Sequence, residues 1–191
     1  YINEAKTVEY AVNEVYKLLE VEALHEAAQP VSVSDNRIEL TDVSFSYDSG
    51  SGKKALSHID LVIPAGKITA LVGPSGGGKS TIARLIARLW DVDSGEIKIG
   101  GENIKEMPLS QLADIVSFVT QDNFLFNCSL KENIRLGNPK ATDEEVYTAA
   151  KAACCDDFIR KLENGYDTQA GDAGNRLSGG EKQRISIARM I

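Results

Sequence analysis

Gly73-Pro74-Ser75-Gly76-Gly77-Gly78-Lys79-Ser80 decides the fold. The stretch satisfies G-x-x-x-x-G-K-[ST] and has the flanks that motif requires. The apolar run Ile68-Thr69-Ala70-Leu71-Val72 predicts a strand before it, and Ile82, Leu85, Ile86, Leu89 and Trp90 recur at helical spacing after it. Glycines let the backbone curl until successive N–H groups point inward, and the helix starting there adds the positive end of its dipole. Such a concavity fits an anionic polyphosphate. Lys79 would bring a point charge to the β- and γ-phosphates, and the Ser80 hydroxyl would coordinate the Mg2+ bridging them. A glycine-rich surface turn would match by chance with a probability on the order of one percent in a chain this long, before the flanks are required. The loop leaves the reaction open, because kinases, GTPases, motors and transport ATPases share it.

Upstream of the loop the pattern changes to strands. Ile38 and Leu40, then Val43, Phe45 and Tyr47, alternate with polar residues, and a phase slip near Thr41-Asp42 predicts a bulge. Ile59, Leu61 and Ile63 alternate up to the Pro64-Ala65-Gly66 turn, so an antiparallel front sheet is expected. Residues 1–28 carry Val8, Val12, Val15, Leu19 and Ala23 on one helical face, and this helix should finish before Gln29-Pro30. Both ends of the chain read as cut inside helices. Downstream, strand-like pieces fall at 96–99 and 115–120. Helices follow, opened by the capping-box spacings Ser129-x-x-Glu132 and Thr142-x-x-Glu145. Trp90 reads as core, and Cys154 and Cys155 as structural residues of an alanine-rich helix. His58 has no carboxylate partner identifiable in sequence.

Composition narrows the partners. The 191 residues hold 42% hydrophobic and 26% charged side chains, ordinary for one globular domain with an appendage. With 28 acidic against 21 basic residues the net charge is −7, the wrong sign for a nucleic-acid or anionic-membrane binder, so no nucleic acid is expected as a partner. Cys128, Cys154 and Cys155 form no disulfide framework, and with only His25 and His58 beside them no zinc-ligand spacing exists. No apolar run approaches the length needed to cross a bilayer.

A second glycine turn, Leu177-Ser178-Gly179-Gly180-Glu181, opens another helix. Taken alone it is a capped helix start, or a lysine-free anion contact able to finish a phosphate site but not to make one. Residues 177–184, LSGGEKQR, resemble the signature motif of ATP-binding cassette proteins, placed after the phosphate loop as in that family. Tyr47 resembles its adenine-stacking A-loop aromatic and Gln121 its Q-loop glutamine. Residues 132–137, ENIRLG, are similar to the exporter-type pattern. Thr168, Gly171, Asp172 and Gly174 resemble the exporter loop before the signature, with Asp172 where Glu is usual.

The resemblance implies an α/β fold: a P-loop NTPase core with an antiparallel front sheet and a helical subdomain. It implies ATP and Mg2+ as cofactors. The phosphate-binding set is Gly73, Pro74, Ser75, Gly76, Gly77, Gly78, Lys79, Ser80 and Thr81. Ser80 and Gln121 would meet the metal, and Lys79 and Gln121 would serve hydrolysis. In a head-to-tail dimer of two nucleotide-binding domains, Ser178, Gly179 and Gly180 would seal ATP held by the other subunit. The implied division is 1–30, a linker helix from a preceding transmembrane domain, and 31–191, an incomplete nucleotide-binding domain with its helical subdomain over roughly 122–185. The whole would lie on the cytoplasmic face of a membrane, as part of an exporter. The apolar cluster Phe124, Leu125 and Phe126 would then dock on the membrane domain.

One part is missing. The family's Walker B motif, four apolar residues followed by Asp and usually Glu, does not occur in these residues. Asp122 follows an interrupted run and precedes Asn123, so it is rejected as a base. This polypeptide is therefore expected not to hydrolyse ATP alone, and to be unstable without cover for its central sheet. Two rivals stand beside the exporter: a soluble cassette ATPase acting on DNA or ribosomes, and a small-molecule P-loop kinase, which leaves LSGGE unexplained.

Overall fold

Four strands build the sheet of the computed structural model, which describes residues 10, 12, 15, 16, 24–48, 52–120 and 123–191. β1 (Ile38–Phe45), β2 (Leu56–Ile63), β3 (Ser94–Ile99) and β4 (Glu102–Asn103) pair antiparallel in the order β2-β1-β3-β4. The front sheet expected from alternation is present. Ile38 stands between Ile63 and Ile99, and Leu40 between Leu61 and Ile97. The predicted slip is a bulge in β1, where the register shifts against both neighbours and Asp42 takes φ 50°. Gly95 faces it at φ 81°; a Cβ there would collide with the Thr41 and Asp42 carbonyls, which only glycine avoids.

The described chain divides into two units, Tyr1–Val116 and Ser117–Ile191. In the first, α1 (Lys79–Ile86) lays Ile82, Leu85 and Ile86 on a core made by Leu40, Val43, Phe45, Leu56, Ile97 and Ile99. The short α2 (Leu109–Ile115) adds Leu112. In the second, α3 (Leu130–Arg135), α4 (Asp143–Ala152), α5 (Asp156–Ile159) and α6 (Gly179–Ala188) enclose Leu125, Leu130, Ile134, Val146, Ile159 and Ile185. Thr142 and Ser178 each close a complete capping box. Ser129 caps α3 alone, because the Glu132 carboxylate pairs with Arg135 instead.

Four sequence expectations need correction. Residues 68–74 form no ladder, and Ile68 and Val72 are 102% and 92% exposed, although their composition is that of a buried strand. A parallel strand is held by neighbours on its edges, and no described strand offers one. The piece expected at 115–120 behaves alike: Ile115 ends α2 and 116–120 are irregular. Trp90 is not core. The backbone leaves α1 at Ala87 and enters the left-handed region at Arg88, φ 50°, which swings Leu89 and Trp90 outward while the Arg88 side chain turns in. Cys154 likewise lies past the end of α4 at φ 56° and is exposed, whereas Cys155 is buried and donates through Sγ to the Ala150 carbonyl.

The inward turn of Arg88 is specific. Its Nη1 donates to the Ile104 and Met107 carbonyls at 3.1 and 3.2 Å, its Nη2 to the His25 carbonyl at 2.5 Å, and its Nε meets Asp91 at 3.0 Å. Gln111 grips Val31 on both backbone groups, at 3.0 and 2.7 Å. Residues 24–33 are thus fastened to the sheet unit at two points. His58, partnerless in sequence, meets Asp42 across the bulge at 2.6 Å.

Candidate nucleotide site

The phosphate loop owes its shape to two left-handed glycines. Gly76 has φ 79° and Gly78 φ 80°, and the Gly77 amide donates to the Pro74 carbonyl at 3.2 Å. At Gly78 a Cβ would lie 2.5 Å from Leu56 Cδ2 and 3.2 Å from the Ala55 carbonyl, so conformation and space both require glycine. At Gly73 and Gly76 a Cβ would meet nothing, which leaves the open side free for a ligand to approach the backbone. Gly78 is the N-cap of α1 with no side-chain cap, and the first turn holds no acidic residue, so the leading amides and the dipole face outward uncompensated. Lys79 bends over the loop, its Nζ donating to the Gly73 and Pro74 carbonyls at 3.0 and 2.7 Å. Ser75 and Ser80 are exposed and Thr81 is buried.

This cradle suits the triphosphate of ATP, and the exposed Ser80 hydroxyl beside it suits Mg2+ shared with phosphate oxygens. Among the described residues no cluster of three or more His, Cys, Asp or Glu is placed to hold a metal ion.

Tyr47 follows the end of β1 with half its surface in solvent. Its hydroxyl donates to Thr81 Oγ1 at 3.1 Å, one residue past Ser80, and accepts from Arg84 Nη1 at 3.4 Å. Its ring meets Phe45 and Trp90 edge to face, at 4.9 and 5.3 Å between centroids. Burial pushes the phenol up, but the hydrogen bonds to Thr81 and Arg84 and the charge of Arg84 outweigh it and leave the group below its ordinary value. Sequence reading missed Arg84. Its signal was the spacing of three from Thr81, which puts both on one helical face.

In the other unit, Ser178 opens α6. Its backbone N–H and its hydroxyl each donate to Glu181 Oε2 at 2.8 Å, and its Oγ accepts from the Glu181 amide at 3.4 Å. These bonds hold the Glu181 carboxyl below its usual range. Gly179 and Gly180 are exposed; a Cβ would meet nothing at Gly179 and only Arg184 Nη1, at 3.8 Å, at Gly180. Gln121 and Asp122 lie outside the described residues. The segment after them is pinned: Asn133 exchanges bonds of 2.9 Å with both backbone groups of Phe126, and Arg189 reaches Asn133 and the Phe124 carbonyl. Leu125 is buried, while Phe124 and Phe126 stand exposed, edge to face at 5.2 Å. Thr168 and Ala170 pair with Leu130 and Cys128, and Gly174 packs on Leu125, so the stretch before the signature belongs to the same core.

Comparison with known proteins matches residues 56–191 to the ABC transporter model. A Staphylococcus aureus protein named as a multidrug export ATP-binding/permease protein is 50% identical over 164 residues, covering 86% of this chain and 28% of its own length. An uncharacterized ABC transporter ATP-binding protein of Sinorhizobium fredii is 47% identical over 165 residues, with the same coverage of 86% and 28%. The chain thus spans under a third of these relatives. The solved structure of a bacterial Atm1-family ABC exporter with ATP bound superposes with a TM-score of 0.85 at 37% identity, over 97% of this chain and 32% of that one. The mixed α/β arrangement with its antiparallel sheet is the P-loop NTPase fold of that exporter's nucleotide-binding domain. With the 73–80 glycine loop and the 177–184 turn both inside the matched residues 56–191, the chain belongs to the ABC transporter family.

Proposed function

We propose that this chain is the ATP-binding part of an ABC exporter, in which ATP binding and hydrolysis drive transport across a membrane. The observation that carries the reading is the loop of Gly76 and Gly78 at positive φ, opening onto an uncapped helix start with the Lys79 ammonium across its mouth. Gly73, Pro74, Ser75, Gly76, Gly77 and Gly78 present backbone to the phosphates. Lys79 neutralises their charge, Ser80 holds Mg2+, Thr81 adds a hydroxyl, and Tyr47 stacks on adenine. Gln121 serves the metal and the attacking water. Residues 1–30 lead from the membrane domain, 31–191 form the nucleotide-binding domain, and roughly 122–185 its helical subdomain.

The second subunit enters because one chain carries two unlike anion contacts. The first has a lysine; the second, Ser178 with Gly179 and Gly180, has none and needs a ligand already bound. Ser178 must redirect its hydroxyl from Glu181 to donate to a γ-phosphate. Hydrolysis then removes the group that both subunits share, and with it the contact favouring the closed pair. The exposed Phe124 and Phe126 dock on the membrane domain at the cytoplasmic face. These 191 residues hold no apolar strand ending in Asp-Glu, so the chain alone binds ATP weakly at best and does not turn it over.

Calorimetry on the full-length protein tests the reading. ATP should bind, and Lys79→Ala should weaken it by about 10- to 100-fold, the range for losing a charged hydrogen-bond donor. No heat from ATP in the wild type would end the proposal. Mg2+-dependent turnover by the 191-residue chain, abolished by Lys79→Ala, would overturn its inactivity.

A further inference from the structure

We propose that Arg84 is a positioning residue for nucleobase capture, acting through the phenol of Tyr47. The inference rests on the reading of Tyr47 as the base-stacking residue. An aromatic side chain just past the end of a strand, half in solvent, would ordinarily turn about its χ angles, and ordering it would be a cost of every binding event. Here the far end of the ring is held. The hydroxyl donates to Thr81 Oγ1 at 3.1 Å and accepts from Arg84 Nη1 at 3.4 Å, so donor and acceptor capacity are both used. Thr81 and Arg84 are three residues apart on α1 and share a face, which makes the anchor part of the helix that begins in the phosphate loop. Phe45 and Trp90 brace the ring edge to face, with interplanar angles of 81° and 90°. The base platform and the phosphate cradle are thereby built on one rigid element. The lowered phenol agrees with an oxygen engaged by a cation.

Arg84 itself is exposed, and neither the loop glycines nor Lys79 bonds to it. Its contribution should therefore appear in how well the base is recognised and not in how the phosphates are held. A substitution at this site should fold, because the position is a helix surface and alanine is the best helix former.

The test measures ATP and inorganic tripolyphosphate binding to the full-length protein in detergent, with Mg2+ chelated to prevent turnover. Arg84→Ala should weaken ATP about three- to tenfold, the range expected for one side chain that must be ordered on binding, and leave tripolyphosphate within about twofold. Tyr47→Phe, which keeps the ring and loses the anchor, should do the same. The double variant should be no weaker than either single one, because both break one linkage. Equal losses for ATP and tripolyphosphate would overturn the proposal in favour of a direct charge effect on the phosphates. Unchanged ATP affinity in Arg84→Ala, or additive losses in the double variant, would also overturn it. Tyr47→Ala reads the parent assignment separately: if it leaves ATP affinity intact, base stacking by Tyr47 fails and this inference with it.

Discussion

Single residues here act through partners distant in sequence, and Arg88 is the strongest case. Its guanidinium is fully buried and satisfied by three carbonyls and a carboxylate drawn from residues 25, 91, 104 and 107. Arg88→Met would keep the apolar stem and leave those acceptors without a donor, at about 3 kcal/mol. The expected outcome is local: amides of residues 24–33 should exchange hydrogen about 100-fold faster in the full-length protein, with the rest of the sheet unit little changed. Gly78 is the second case. Gly78→Ala meets both a left-handed φ and the Leu56 side chain, so it should cost about 1–3 kcal/mol and weaken ATP together with tripolyphosphate. Paired calorimetric titrations check this; a loss confined to ATP would contradict it. The role of Arg88 is not legible along the chain. Arg88 reads as one more polar residue after an apolar stripe, and its four acceptors converge only when the strands pair.

Among the elements, α6 shows most directly how a cap contributes local stability. Its capping box is strengthened by a carboxylate charge, because Glu181 accepts the Ser178 N–H and hydroxyl more strongly when ionised. Those bonds lower the Glu181 carboxyl from its ordinary 4.5. A group depressed in the folded state contributes stability that is fully present above its unfolded value, and it is lost as pH falls through the folded one. The start of α6 should thus be more protected from exchange in the wild type than in Glu181→Ala at neutral pH. The two should converge as acidity passes below the usual glutamate range. A gap that persists in acid would show that the cap does not depend on the charge. The Ser178-x-x-Glu181 spacing announced this element from sequence, as did Thr142-x-x-Glu145, because a cap needs only neighbours within one turn. Ser129-x-x-Glu132 has the same spacing and forms half the box, since Arg135, one turn on, takes the carboxylate.

At the scale of the molecule the phosphate loop hangs from an uncovered segment. Ile68 and Val72 face solvent, and residues 68–74 have no strand beside them among the described residues. Burying two such side chains is worth about 1.5–3 kcal/mol each, and the bare backbone edge is a template for association. The 191-residue polypeptide alone should bind a hydrophobic dye strongly and aggregate. Dye binding should fall in Ile68→Lys with Val72→Lys, and a dye-silent monomer with a cooperative melt would refute this.

What the sequence determined unaided is everything set within a few residues: the glycine loop with its lysine, the capped turn at Ser178, the other helix caps, the alternation of the front sheet and its bulge. Those features rest on local backbone geometry and on side chains one turn apart, so their order in the chain is their order in space. Tertiary structure alone decided the outcome for 68–72, for Trp90, and for the partners of Arg84, Arg88 and His58. A strand exists only where an edge pairs with it, and a long polar side chain takes its meaning from acceptors that folding brings from far along the chain.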